Sequence, residues 1–359
     1  MAKKKQYVWF IYGILGLRIT DQGPALDKPM FRDATLLSKE HLMTLDSEFG
    51  PDHSRGKVLT EMAGPLDTPA YLGIRQAGYP QVSALGDPDT FGKRQCAIDK
   101  LRSGSVRRAN IITALLSCNA TPRKRQPCAV AHLRVHSPQQ WLLFDTAHGF
   151  RGSGTQIDGV SWAAAPTADV PTVTRAQLLT ELAEPPLRHL RRALVCKKPA
   201  LSRDLHTPII EAAISLSTCM PLGLPGPHLL GAVTAMEMLM STGEQGVGKF
   251  KRLEHRVKAL LGPEVARKYR IDDVFKARHD HVHNGLNPRF LLPLHASTLA
   301  IDCLLRYAEL AFGFRSKRRL LNYLDLLHHG DQLACTWNQA EREAFQRLVK
   351  YERKPFPNQ

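Results

Sequence analysis

Acidic residues are in short supply. The 359-residue chain carries 33 aspartates and glutamates against 49 lysines and arginines, a formal net charge of +16. A surplus of that size raises the local concentration of polyanions, among which nucleic acid is the commonest partner. Paired cysteines are lacking as well. The seven cysteines (Cys96, Cys118, Cys128, Cys196, Cys219, Cys303 and Cys335) show no Cys-x-x-Cys spacing. That excludes a disulfide framework and reads as reduced thiols in a cytoplasm. No repeat and no low-complexity tract is present. No apolar run reaches the length of a bilayer span, so no membrane is expected. The nearest candidate, Tyr7-Val-Trp-Phe-Ile-Tyr-Gly-Ile-Leu-Gly-Leu17, follows Met1-Ala-Lys-Lys-Lys5. It is aromatic and β-branched, and it runs into Arg18 without a small-residue cleavage site, so it reads as a buried strand rather than a leader. The N-terminal half also lacks a Gly-rich phosphate loop, a Ser-x-x-Lys or Gly-x-Ser-x-Gly nucleophile and clustered metal ligands.

What is present divides the chain. The first half reads as mixed α/β, with strand candidates at Val8–Ile19, Ala129–Val135 and Trp141–Phe144. Helix candidates are Ala97–Leu101 and Ala109–Cys118, and Gly152–Gly159 reads as loop. Between Lys93 and Arg134 ten cations face one acid, Asp99. Lys93, Arg94, Arg107, Arg108, Arg123, Lys124 and Arg125 are the candidate phosphate contacts of this run. A solvated face would look the same, because either needs several cations together. A proline-punctuated stretch, Ala163-Ala-Ala-Pro-Thr-Ala-Asp-Val-Pro171, reads as linker, and Glu184-Pro-Pro186 breaks the next helix.

After about Leu201 the pattern is almost wholly helical. Thr207-Pro208 reads as an N-cap with proline in the first turn of a helix running to Cys219. Others follow at about His228–Met240, at Lys249–Leu261 with Gly262 as C-cap, and from Asp272 or Asp273 to Asn284-Gly285. Further helices span Ala296 to about Phe312 and Lys317–His329, the latter stopped by Gly330. A last one starts at Asn338, with Glu341 completing a capping box. The expected fold is α+β: a mixed N-terminal recognition or sensor domain over 1–165, connecting segments over 166–204, and a helical bundle with a C-terminal extension over 205–359.

The chemistry concentrates in Arg278-His279-Asp280-His281-Val282-His283-Asn284-Gly285. Alternate histidines suggest a metal, but residues two apart on a helix point about 200° from each other. Only His279 and His283 share a face, and two ligands do not close a site. Neither a metal nor another cofactor is therefore expected. Arginine with a histidine five residues on has a different use. Cutting RNA needs a base for the 2′-hydroxyl, which histidine supplies near neutral pH. It also needs a cation for the charge building on the phosphate, which the arginine fork supplies. Five steps splay the two by roughly 140° on an ideal helix. Either the helix distorts toward Gly285, or the site is assembled from two copies. His281 falls on the opposite surface with no special role.

Three segments in order resemble one family. Thr234-Ala-Met-Glu237-Met-Leu-Met240, Leu253-Glu-His-Arg256-Val-Lys-Ala-Leu-Leu261 and Phe275-Lys-Ala-Arg278-His-Asp-His-Val-His283-Asn-Gly285 are similar to the HEPN domains, most closely the Apea-like group. The likeness covers about 207–312. His279 stands where that group usually has Asn, and His281 where it has an apolar residue. The resemblance implies an all-α HEPN-like bundle, Arg278 and His283 as the catalytic pair, His279 in support and Glu237 facing the same site. Glu237 in a salt bridge to Arg256 is the structural alternative. The resemblance further implies a homodimeric, metal-independent endoribonuclease that leaves 2′,3′-cyclic phosphate ends, in an antiviral defence or toxin role. Its target would be RNA such as tRNA, and an unknown trigger ligand or protein would act at the N-terminal domain. A non-catalytic module binding RNA, a nucleotide or a partner protein is the alternative.

Overall fold

A computed structural model describes residues 7–15, 17–20, 30–38, 70–77, 88–120, 134–135, 141–146, 149–154, 172–185, 187–219, 225–242, 248–289 and 291–333, with 343, 346 and 347. The fold is α+β. It divides into two compact units, Met1–Thr113 with Leu133–Thr180, and Ala114–His132 with Glu181–Gln359.

In the first unit, β1 (Tyr7–Leu15), β3 (Ala34–Leu37), β4 (Ala70–Ala77), β6 (Trp141–Thr146) and β7 (Gly149–Gly154) form an antiparallel sheet in the order β3-β4-β1-β6-β7, and β5 (Arg134–Val135) also pairs with β1. Two short strands, β2 (Arg18–Ile19) and β8 (Thr172–Val173), pair in parallel, and α2 (Arg175–Glu181) follows. Of the single strand expected over Val8–Ile19, residues 8–15 form a central strand of the sheet, whereas Arg18–Ile19 is a separate strand paired with β8. Phe10, Tyr12 and Ile14 alternate along β1 and are all buried, as a period of two requires for residues on one face. Against that face Tyr12 donates to Ser105 Oγ at 2.8 Å, and burial pushes its phenol up to about 12.

Ser105 sits on α1 (Pro88–Ala120), one continuous helix where the sequence suggested two. The Ser103-Gly-Ser105 stretch looks like a break, yet burial of Ser105 against Tyr12 carries the helix across it. Of the expected loop Gly152–Gly159, residues 152–154 instead end β7, which pairs with β6 through its backbone, and 155–159 lie outside the described residues. The expected linker 163–171, the strand portion 129–133 and the capping box at Asn338 and Glu341 lie outside the described residues, whereas 343, 346 and 347 of the helix expected there are helical.

The second unit holds α3 (Leu187–Val195), α4 (Arg203–Cys219), α5 (Pro225–Met240), α6 (Lys249–Leu261), α7 (Pro263–Lys268), α8 (Ile271–Asn284), α9 (Leu291–Ala311) and α10 (Lys317–Leu333). Helix α9 is the hub. Leu299, Ile301, Cys303, Leu304 and Ala308 are fully buried on it, and α3, α4, α5, α6, α8 and α10 all pack against it. Residues 187–204, expected in the connecting stretch, therefore belong with the bundle: Leu187, Leu190, Ala193 and Leu194 are buried. Helix α4 begins four residues ahead of Thr207. Leu205 and His206 donate to the Ser202 carbonyl, Asp204 supplies the first-turn carboxylate, and Pro208 lies inside the helix. No helix among the described residues is long and apolar enough to cross a membrane.

Candidate active site

Helix α8 positions the site. Ile271, Val274 and Phe275 are buried on it, and the next step of that stripe, three and seven residues on, is Arg278. A cation in an inward stripe needs partners. Arg278 finds a carboxylate and a ring. One guanidinium nitrogen lies 3.6 Å from Glu237 Oε1 on α5, with both side chains about four-fifths buried. The guanidinium also sits over the Phe250 ring of α6, 4.0 Å from its centroid. A cation held over an aromatic face gains roughly 0.5–2 kcal/mol. Phe250 went unnoticed in the sequence because it continues the Leu253-Val257-Leu260 stripe and reads as core.

The histidines take the other side. His279 and His283 are exposed and share a face, their rings 4.5 Å apart and tilted by 44°. Helix α8 stays helical through Asn284 and ends at Gly285, whose φ of 65° is the left-handed conformation glycine adopts without strain. Of the two geometric alternatives, local distortion is therefore not what the helix does. Within one chain Arg278 leans inward while His283 faces out.

His281 corrects an expectation. Its Nδ1 bonds to the Leu286 carbonyl at 2.9 Å, and a Cβ at Gly226 would fall 2.4 Å from its Nε2. The ring is thus packed on the first turn of α5 and ties the end of α8 to it. Gly226 is what makes room for that contact.

Glu237 lies against Arg278 as its carboxylate partner. Arg256 is buried and takes Asp325 of α10 as a carboxylate partner, through two bonds of 2.8 Å, while donating to the Met240 carbonyl at 2.7 Å.

The basic run of the first unit is only partly described. Lys93 and Arg94 lie near the start of α1, and Arg107 is exposed further along it. Arg108 is not a phosphate-facing cation: its Nε and one terminal nitrogen donate to Asp33 Oδ1 at 3.0 and 2.7 Å. Arg123, Lys124 and Arg125 lie outside the described residues. Among the described residues no group of three or more histidines, cysteines or acids could hold a metal ion.

Val282, Leu286 and Leu291 are the large hydrophobic residues left exposed among those described, at 46, 57 and 55 %. All three lie at the end of α8, in the loop after it or at the start of α9. Comparison with known proteins adds no relative: no family model, no curated protein and no solved structure matches the chain.

Proposed function

We propose that the protein is a metal-independent endoribonuclease of the HEPN type, acting as a cytoplasmic homodimer in a toxin or antiviral defence role. One observation carries the reading. A largely buried arginine, oriented by Glu237 and Phe250, lies on the same helix as an exposed histidine, at the end where exposed apolar residues gather. Apolar surface concentrated in this way marks a contact face, and a second copy meeting it symmetrically would bring one chain's His283 toward the other's Arg278.

In such a site His283 takes the proton of the 2′-hydroxyl, and the freed oxygen attacks the adjacent phosphorus. The bond to the 5′-oxygen breaks, and that oxygen leaves with a proton, giving 2′,3′-cyclic phosphate and 5′-hydroxyl ends. Arg278 offers its fork to the phosphate oxygens as charge builds. Glu237 holds the guanidinium, and His279 stands beside the base.

The same geometry favours a second reading, a non-catalytic RNA- or nucleotide-binding dimer. Arg278 already has a carboxylate partner, and one helix splays it from His283. Incubation with tRNA or total RNA in EDTA, beside Arg278→Ala and His283→Ala, separates the two. Cutting that resists chelation and is lost in both variants supports the ribonuclease, and absence of cutting leaves the binding module. A strict monomer on sizing counts against a shared site.

A further inference from the structure

The helical unit carries a basic surface of its own, apart from the run between Lys93 and Arg134. From Leu187 to Arg203 the chain has six lysines and arginines and no acid. With the flanking Glu184 and Asp204 counted, cations still outnumber acids six to two. On α3, Arg188, Arg191 and Arg192 are three and four residues apart, so they share one face of the helix. Leu187, Leu190, Ala193 and Leu194 are its buried residues. Lys197 and Lys198 in the loop that follows are exposed, as is Arg203 in the first turn of α4.

The bundle holds this surface in place. Helix α3 packs on α9 and α4. His206 of α4 bonds through Nε2 to the Ala193 carbonyl at 2.8 Å, which closes the loop that carries Lys197 and Lys198. The Arg192 guanidinium lies over the Phe312 ring just past α9, 4.9 Å from its centroid. A ring beneath a guanidinium fixes its plane and does not use its N–H donors. Two acids at the border are engaged. Asp204 accepts the Lys317 backbone N–H at 2.8 Å, and Glu309 pairs with Arg306 at 2.5 Å.

Charge of this kind attracts a polyanion, and a nucleic-acid backbone fits better than an anionic lipid surface. A helix that lies on a membrane needs its apolar face for the acyl boundary. In α3 that face is buried in the bundle, with Leu187, Leu190, Ala193 and Leu194 at most 6 % exposed. Four of the six cations are arginines, whose planar forks match phosphate. We infer that the outer face of α3, with the loop into α4, docks the phosphate backbone of a nucleic acid. Helix α9 links this face to the helix of Arg278, since α3 and α8 both pack against it. That the nucleic acid is RNA rests on the ribonuclease reading. The face itself rests on its charges and burial pattern.

A fluorescein-labelled 2′-O-methyl RNA oligonucleotide tests this with the full-length protein, since it lacks the hydroxyl that reacts and so reports binding alone. In fluorescence anisotropy, Arg188→Gln with Lys197→Gln is expected to raise Kd about tenfold and to lower the salt slope by about two. Arg188→Glu with Lys197→Glu, which reverses both charges, raises Kd further. Arg267→Glu with Lys268→Glu makes the same reversal at exposed positions of α7, and leaves Kd within about threefold if the contact is local rather than a net-charge effect. Unchanged affinity in both α3 variants overturns the inference. An equal loss in the α7 pair does too, as does a wild-type protein that leaves the RNA unbound, whether or not it sediments with phosphatidylserine vesicles. If RNA binds through α3 and unmodified RNA is never cut, the ribonuclease reading falls and the docking face stands. If RNA is cut while the α3 variants bind like the wild type, the docking face falls alone.

Discussion

Arg256 and Arg278 come from neighbouring helices of one bundle and are held in opposite ways. Arg256 is 3 % exposed and saturated: a carboxylate binds it through both oxygens and a helix-terminal carbonyl accepts a third bond. Arg278 has one long contact to Glu237 and an aromatic ring beneath it. The first arrangement suits a brace. The second leaves donors for a ligand, at the end of a helix whose outer face carries two histidines. The difference separates an arginine that braces two helices from one held by a single long ion pair and a ring, although both sit on helices of the same bundle.

The largest effect should come from the brace. Arg256→Ala leaves Asp325 and the Met240 carbonyl without their cation, and is expected to cost about 3–5 kcal/mol in urea unfolding. Arg278→Ala should cost less, about 1–2 kcal/mol, because its ion pair is long and the main loss is the contact over the Phe250 ring. Equal losses would erase the contrast. Next comes Glu237→Gln, which keeps the shape and removes the charge that orients Arg278. RNA cutting should fall about tenfold as Arg278 loses the carboxylate that orients it, with stability nearly unchanged. A loss confined to stability would return Glu237 to a structural role.

Smaller still is the response to acid. Burial first, then the charge of Arg270, holds His295 below its ordinary value of 6.5. His189 is held down by burial and by Arg188 and Arg192, against a smaller upward pull from Glu309. A folded-state value below the unfolded one gives stability that is present above about pH 6.5 and is lost as pH falls through the lowered value. Melting temperature should therefore drop on acidification below 6.5, and less so in His295→Gln; a flat profile would contradict this. The smallest effect is expected at Gly226→Ala. The new Cβ displaces His281 from the Leu286 carbonyl, for about 1 kcal/mol, read as faster amide exchange at the end of α8.

The bundle was more legible than the sheet, for a physical reason. Lys249–Leu261 and the Gly262 and Gly285 ends follow from 3.6-residue periodicity and glycine geometry, both local. Strands β3 and β4 were missed because they are short and lack clean alternation: Leu36 and Leu37, and Tyr71 and Leu72, are buried side by side. Gly330, read as a stop, is carried inside α10 to Leu333. Within the site, the Arg278–His283 spacing and Glu237 were visible. The Phe250 ring, the His281–Gly226 contact and the Asp325 partner of Arg256 were not, because each joins residues from different helices that no local pattern links.

The central claim is that Arg278 and His283 act together although one regular helix splays them. Coexpression of Arg278→Ala with His283→Ala chains, followed by RNA cutting in EDTA, tests it most directly. Each variant alone should be inert. The mixed population should regain up to about a quarter of wild-type activity, since half of its dimers would carry one intact site of two. A mixture as inert as its parents, or a single variant that cuts like the wild type, would contradict the account.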